Sequence, residues 1–350
     1  MAKNNPADTD SYWLKRKNGF DANLIYGSKK FLVGTGRDKL IAKPTIELLK
    51  VVERTTPGVY RRKDGYFKHQ KMCPLCNGKD IFYLLERMGI SVYYCKNCDF
   101  GFQNPRLKEE ILEKLYKNDE TNWPCHVSKL QILIDKKKYD YGLDLLETFS
   151  PPSKEALLDI GCGSGFSLRR AMVKGWRECV GIELSHRYSF PYHYRIKIIN
   201  DSFDRAFKKL WVKTDAVMMW DVLEHISDPL GFLGQLKDIM KKGSLILIMV
   251  PNLKSLASRL IREKSPTFTW QHLNYFTALS LKKILNNSGF KVEHIETVIS
   301  EIGNINNYMA FEDPYLGSKE KTITLDFLTS EYIHSNLLGS RLLVIARRNR

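Results

Sequence analysis

The 350-residue chain carries 55 Lys and Arg against 39 Asp and Glu, a formal net charge of +16, with 43% hydrophobic and 11% aromatic residues. That composition excludes wholesale disorder and provides for a substantial core, in about two domains. The longest apolar run, "LILIMV" at 245 to 250, is too short to span a bilayer, and the polar start "MAKNNPADTDSYWLKRK" lacks the apolar stretch of a signal peptide. A cytoplasmic protein without a membrane span is expected, in which paired cysteines point to metal before disulfide. The charge is uneven. Residues 1 to 70 hold 15 Lys and Arg against 7 Asp and Glu, a surplus of 8 and half of the whole excess, whereas residues 71 to 155 hold 13 of each sign. The basic stretch with "RRK" at 61 to 63 can meet an anionic partner such as RNA, although a charge run reads first as a solvated face.

In chain order, residues 1–70 form a basic extension with weak periodicity, turns at "YGSKKFLVGTGRDK" and one predicted helix near "PTIELLKVVERT", 44 to 55. Residues 71–105 hold Cys73-Pro-Leu-Cys76 and Cys95-Lys-Asn-Cys98, two CxxC pairs 18 residues apart, the spacing of a four-thiolate zinc ribbon. A closed set of four thiolates leaves no open coordination position, so Zn²⁺ here is structural and supplies stability that so small a core cannot. Cys125, Cys162 and Cys179 lack such partners and read as packing residues. Residues 106–150 form a helical linker, with apolar residues at three- and four-residue spacing in "LKEEILEKLYKN" and "KKKYDYGLDLLETF", and "SPPSK" then stops it. Residues 151–350 alternate apolar strands with amphipathic helices, the pattern of an α/β domain with a parallel sheet covered on both faces. The predicted strands are 156–160, 179–183, 196–199, 215–219 and 244–250, followed by "FKVEHIETV" and "RLLVIARR", with a helical part near 322 to 336 between these last two.

The turn "DIGCGSG" at 159 to 165 joins the first of these strands to a helix. A dinucleotide site wants a small residue where Phe166 stands, and a phosphate-binding loop wants Lys-Ser/Thr after the glycines. Asp159, two residues before Gly161, opposes a pyrophosphate but suits the ammonium and sulfonium of S-adenosylmethionine, which carries no phosphate. Glu183, at the end of the next strand, can accept both ribose hydroxyls, a feature shared with NAD enzymes.

The segments "LLDIGCGSG", "GIELS", "DAVMMWDVLEHISDP", "ILIMVPN" and "WQHLNYFTALSLKKILNNSGF" occur in the order found in class I S-adenosylmethionine-dependent methyltransferases. Over residues 71 to 300 the chain resembles the subset with a four-cysteine zinc ribbon before the catalytic domain, common among bacterial enzymes encoded with surface-polysaccharide biosynthesis. The resemblance implies a doubly wound, Rossmann-like, seven-stranded and mostly parallel sheet whose last strand, 341–347, runs antiparallel. It implies a cofactor site of Asp159, Gly161, Cys162, Gly163, Gly165, Glu183 and Leu184, with Asp201 and Ser202 near the adenine and Trp220 and Asp221 closing the cofactor side. "NDSFDRAF" also offers Asp204 one turn after Asp201.

Residues just after the fourth and fifth strands meet the substrate in an open parallel sheet, and these are "WDVLEHI" and "VPN". His225 is the natural general base, beside Glu224, and His272 in "WQHLNYF" is a second candidate on a segment whose Trp270, Tyr275 and Phe276 form either a lid or a packed core. Asp221, Glu224 and His225 are also similar to the acid-x-x-Glu-His segment with which ubiquinone-pathway O-methyltransferases hold a divalent cation. Methyl transfer to a small-molecule acceptor, a sugar, nucleotide-sugar or glycan precursor, is the expected activity. The alternatives are an RNA methyltransferase that holds RNA with the ribbon and basic arm, and an O-methyltransferase of the ubiquinone-pathway kind. A non-catalytic scaffold is disfavoured by the intact glycines and Glu183.

Overall fold

The structure, a computed structural model, describes residues 14–16, 19–21, 45–56, 59–117, 129–151, 153–185, 195–210, 213–305 and 328–349. Strands β1 (Leu14–Arg16) and β2 (Gly19–Asp21) pair antiparallel. Helix α1 (Ile46–Val51) starts where the Thr45 side chain accepts from the Leu48 amide, and it runs directly into the hairpin β3 (Val52–Thr56) and β4 (Val59–Arg62). The helix expected over 44 to 55 therefore ends early. Val52, Thr55 and Thr56 are β-branched, and the extended pairing of Val52 with Arg62 takes over from the helical hydrogen bonds.

After β5 (Phe67–Lys68) comes the cysteine-bearing sheet of β6 (Ile81–Arg87), β7 (Ile90–Cys95) and β8 (Phe100–Gln103), and β9 (Arg106–Leu107) returns to pair with β5. The two helices expected between 106 and 150 are α2 (Glu109–Lys117) and α3 (Lys129–Thr148). Cys125 lies outside the described residues.

The main domain follows as β10 (Ala156–Ile160), α4 (Phe166–Val173), β11 (Glu178–Ile182), β12 (Ile196–Ile199), α5 (Phe203–Phe207), β13 (Thr214–Trp220), α6 (Pro229–Ile239) and β14 (Met240–Pro251). Then come α7 (Leu256–Ile261), the short β15 (Asn274–Tyr275), α8 (Ala278–Asn287), β16 (Phe290–Val298), α9 (Ser330–Ser335) and β17 (Arg341–Arg348). Of the helical part expected near 322 to 336, α9 is described and residues 306–327 lie outside the description. The seven-stranded sheet runs β12-β11-β10-β13-β14-β17-β16, parallel except for β17, which is antiparallel to both neighbours. This is the class I methyltransferase, Rossmann-like fold.

Strand alternation divides the core between the two faces of the sheet. Leu158, Ile160, Val217, Met219, Ile246 and Ile248 face α6, α8 and the cysteine-bearing module, whose Cys73, Cys95, Cys98, Phe100 and Phe102 belong to the same core. Leu157, Ala216, Met218, Trp220, Leu245 and Leu247 face α3 and α4. The small sheet does not stand apart, because β15 from the main domain extends it as β15-β8-β7-β6.

Gly142 sets how closely α3 sits on the sheet. A Cβ there would lie 2.3 Å from Trp220 Cη2 and 3.1 Å from Leu247 Cδ1. Alanine gains roughly 1 kcal/mol in helix propensity but forces an overpacking cost of roughly 1–3 kcal/mol against a ring that has little room to move. Gly142→Ala should therefore lower the denaturation midpoint, measured by urea titration. A midpoint equal to or above that of the parent would contradict this packing.

Candidate active site

One cavity of about 1680 Å³ opens along the carboxyl edge of the sheet and is lined from the glycine turn at one end to His225 and His272 at the other. At the cofactor end, Gly161, Gly163 and Gly165 have φ of 71°, 51° and 70°, a region that favours glycine. The turn is closed by Gly161 N–H donating to Ile182 O at 2.8 Å and Gly165 N–H donating to Cys162 O at 2.9 Å. Gly161 also makes a cradle, since a Cβ would come within 2.6 Å of Val222 Cγ2.

The Glu183 carboxylate accepts from the amides of Gly163 and Ser185, each at 2.8 Å, which ties the end of β11 to the turn. Burial raises its pKa. Asp159 is buried at 1% exposure; Ser167 donates to Oδ2, and Oδ1 has no partner. Burial lifts this carboxyl to about 7, against the opposing hydrogen bond from Ser167. A buried acceptor without a donor, beside a glycine cradle, fits the ammonium of S-adenosylmethionine, and the Trp220 indole N–H is likewise buried without a partner.

Leu184, Cys162 and Ser202 line the same cavity. Asp201 lines it too, but its carboxylate accepts from Lys209 at 2.8 Å and from Arg205 at 2.5 Å, and these bonds hold it well below the usual carboxylate range. Asp204 is also on the wall. Asp221 sits at φ 55°, paired with Arg341, whose Nε donates to Oδ1 at 2.9 Å.

Several wall residues carry no mark in the sequence, among them Lys138, Tyr139, Arg341 and Tyr116. Lys138 and Tyr139 lie on α3, taken for a linker, and stand against Trp220, with Lys138 Nζ 5.6 Å from the indole centroid and the Tyr139 ring 5.1 Å from it. Arg341 comes from the last strand and Tyr116 from α2. Nothing in a linker-like helical pattern says which helix turns a face into the cavity.

At the far end a 3₁₀ turn, Leu223–His225, follows β13. Glu224 is fully buried and neither carboxyl oxygen has a hydrogen-bond partner. His225 Nδ1 lies 2.8 Å from Gln271 O and 2.6 Å from the Tyr116 hydroxyl, and His272 Nδ1 lies 2.7 Å from Thr267 O. A carbonyl opposite each Nδ1 requires the N–H there, so the bare lone pairs are on Nε2, 3.9 and 4.0 Å from Glu224 Oε1. The two rings are 4.9 Å apart. Burial, with Asp221 adding to it, pushes Glu224 well up; burial pushes His225 down and His272 well down, the latter aided by His225.

These three side chains offer ligand atoms within 4.8 Å of one another and could hold a metal ion. Asp221 is not in that group, so the set expected from "DVLEH" gains His272 in its place. Trp270, Tyr275 and Phe276 are buried and pack under the site, so the aromatic segment is core and no lid.

The four cysteines of the small sheet form the other group of potential ligands among the described residues. Cys73 Sγ lies 3.5 Å from Cys98 Sγ, and Cys76 Sγ lies 3.6 Å from Cys95 Sγ. Tetrahedral Zn²⁺ with bonds of about 2.3 Å needs sulfurs about 3.8 Å apart, so the donor set fits the metal. Asn77 and Asp99, at φ 55° and 61°, turn the chain immediately after each CxxC pair.

The strand order and the glycine turn are those of the class I methyltransferase fold. Residues 135–295 match the family model described as a methyltransferase domain. The chain is similar to the tRNA U34 carboxymethyltransferase of Vibrio parahaemolyticus, 27% identical over 159 residues that cover 43% of this chain and 49% of that protein. The protein of the same name from Aliivibrio salmonicida is 30% identical over 111 residues, covering 29% and 34%. The chain thus spans about half the length, or less, of these curated relatives. Among solved structures, magnesium protoporphyrin IX methyltransferase from Synechocystis, with bound SAH, is 14% identical across 69% of this chain and 100% of that one, with a TM-score of 0.45. No helix among the described residues is long and apolar enough to cross a membrane.

Asp159 gives the cofactor end a testable pH dependence. Its carboxyl is raised to about 7, so in the ligand-free protein it gains a proton as pH falls below neutrality, while the ligand's amino group, the more basic of the two, stays charged. Affinity for S-adenosylhomocysteine, measured by calorimetry at about pH 5.5, 6.5 and 7.5, should therefore rise with pH, by up to about tenfold per unit below 7. Equal affinity across the range, or tighter binding at the acid end, would remove Asp159 from the ammonium site.

Proposed function

We propose that this chain transfers a methyl group from S-adenosylmethionine to an acceptor nucleophile presented between the glycine turn and the Glu224–His225–His272 wall. The observation that carries this reading is the pairing, in one cavity, of a buried Asp159 carboxyl whose Oδ1 has no partner with a cluster of bare proton acceptors at the opposite end. When bound, the cofactor supplies an electrophilic methyl group on a sulfonium. Asp159 would hold its ammonium, Glu183 its ribose hydroxyls, and Trp220 and Tyr139 would exclude water from the cofactor side. Displacement at a methyl group is in-line, so these residues act mainly by alignment.

His225 takes the acceptor's proton at Nε2, with His272 as the second proton acceptor. The Nδ1–H bonds to Gln271 O and Thr267 O fix that tautomer, and burial keeps both rings neutral until the proton arrives. Glu224 Oε1 lies 3.9–4.0 Å from both Nε2 atoms, and as a carboxyl driven towards its neutral form it presents a dipole to the imidazolium, with no counter-charge. The four cysteines hold a structural Zn²⁺.

For the acceptor, the comparisons support RNA: the relatives are named as tRNA carboxymethyltransferases, and the chain's surplus of positive charge gives a polyanion something to bind. Trp270 and Tyr275 are buried and offer no face on which to stack a sugar ring. The association with surface-polysaccharide enzymes gains nothing from these relatives. One observation keeps a small acceptor as the second reading. The carboxylates on the cavity wall outnumber its cationic side chains, and Arg205, Arg341 and Lys138 are already paired with Asp201, Asp221 and Asp135, which leaves little to receive a phosphate backbone inside the cavity.

Incubation with methyl-labelled cofactor, a tRNA pool and a nucleotide-sugar pool separates the two, read by mass spectrometry of digested nucleosides and of the sugars. Label in a tRNA nucleoside is the expected result. Label confined to the sugar pool would overturn the RNA assignment, and no label in either pool would overturn both.

A further inference from the structure

We infer that the four-cysteine module braces the acceptor site from behind its wall: Gln103 and Arg106, where the chain leaves that module, position the two histidine-bearing segments, so that metal occupancy at the cysteines controls the acceptor end and leaves the cofactor end alone. This rests on the methyltransferase reading above and assigns Gln103 and Arg106 as positioning residues within it.

The segment between α7 and α8 carries His272, and its only strand, β15, pairs with β8 of the small sheet, Asn274 opposite Phe102 and Tyr275 opposite Gly101. The approach is close, because a Cβ on Gly101 would lie 2.7 Å from Leu253 Cδ2 and 3.0 Å from Tyr275 Cβ. Gln103 N–H donates to Leu273 O at 3.0 Å. The Gln103 side chain is fully buried, and its Nε2 lies 3.0 Å from Trp270 O and 3.3 Å from His272 O, so one amide group holds the carbonyls on both sides of Gln271. Thr277 Oγ1 donates to Asp99 O, the residue after Cys98, at 2.9 Å.

Arg106 reaches further. It is buried and makes no ion pair among the described residues; burial lowers its pKa to about 10. Its guanidinium donates to Ser227 O at 3.0 Å, Leu273 O at 3.2 Å and Asn274 Oδ1 at 2.7 Å. Ser227 lies two residues after His225, and Leu273 follows His272. The Asn274 amide in turn donates to Ile226 O at 2.7 Å and Leu223 O at 3.3 Å. One planar fork thus bridges the segments that carry the two imidazoles and fixes their separation, a task for which a lysine ammonium lacks the geometry.

The strand that carries these hooks is anchored by the cysteines. Cys95 ends β7, and Cys98 precedes β8 by two residues. Thiolates held by a metal tie the turn before β8 to the Cys73–Cys76 turn, a cross-link that adds to the packing of Phe100 and Phe102 in fixing the register of β8. The cofactor end is built differently, with Gly161 and Cys162 bonded to Ile182 O inside the parallel sheet.

The test is hydrogen exchange on the full chain, followed by mass spectrometry, as purified with its metal, after chelation, and as Arg106→Lys with metal retained. Binding of S-adenosylhomocysteine is measured by calorimetry on all three. After chelation, peptides covering 267–277 should exchange at least about tenfold faster, peptides covering 156–165 should not change, and affinity should stay within about twofold. Arg106→Lys should accelerate the same 267–277 peptides with unchanged metal content, an effect that bypasses any general failure of the module to fold. Unchanged protection of 267–277 in both cases would overturn the inference. So would exchange that spreads equally to 156–165 with loss of affinity, which is global unfolding. If the metal-loaded parent fails to bind S-adenosylhomocysteine at all, it is the methyltransferase reading that falls.

Discussion

A carboxyl group sealed from water with neither oxygen hydrogen-bonded costs a fold roughly 1–3 kcal/mol, and the arrangement around Glu224 depends on tolerating that cost. Burial drives Glu224 towards its neutral form and both imidazoles towards theirs, so the acceptor end holds three uncharged groups whose proton affinities are set against one another. Backbone carbonyls aim the Nε2 atoms at it: Gln271 O engages one ring and Thr267 O the other. A site so arranged is poised to take up one proton and to stabilise it once there, which suits an acceptor that must lose a proton as its nucleophilic atom is alkylated.

Keeping such a cluster in place requires bracing from outside the parallel sheet. The sheet itself fixes the cofactor end, where the turn after β10 and the acid after β11 are joined by Gly163 N–H donating to Glu183. The acceptor end lies on loops after β13 and between α7 and α8, and its bracing comes from the cysteine-bearing module and from α2, whose Tyr116 hydroxyl meets both His225 and Gln271 O. The two ends of one cavity therefore belong to different stabilising systems.

The sheet was legible from its apolar strands: 156–160, fully buried, and 196–199 match the strands residue for residue, as do the edge strand "FKVEHIETV", with its partly exposed middle, and "RLLVIARR". β14 begins earlier than 244, at Met240, because an irregularity after Thr214 lets the polar "KKG" be accommodated within the strand. The glycine turn and Glu183 were legible because left-handed φ and a strand-end acid leave direct marks in the sequence. The acceptor cluster was legible residue by residue but not as a cluster. His272 is far from Glu224 along the chain, and no periodicity records that β15 leaves the main domain to pair with β8. Lys138, Tyr139 and Arg341 were invisible for a related reason, since which helix face or strand end borders a cavity is decided by tertiary packing.

On the proposed function, Asp159 and the Glu224–His225–His272 wall are opposite ends of one reaction axis. The most direct test is a crystal structure of the protein with S-adenosylhomocysteine. The ligand's ammonium should lie on Asp159 Oδ1, its ribose on Glu183, and its sulfur should face the wall of Glu224, His225 and His272. A ligand whose sulfur faces away from that wall, or that leaves Asp159 Oδ1 without a partner, would contradict it.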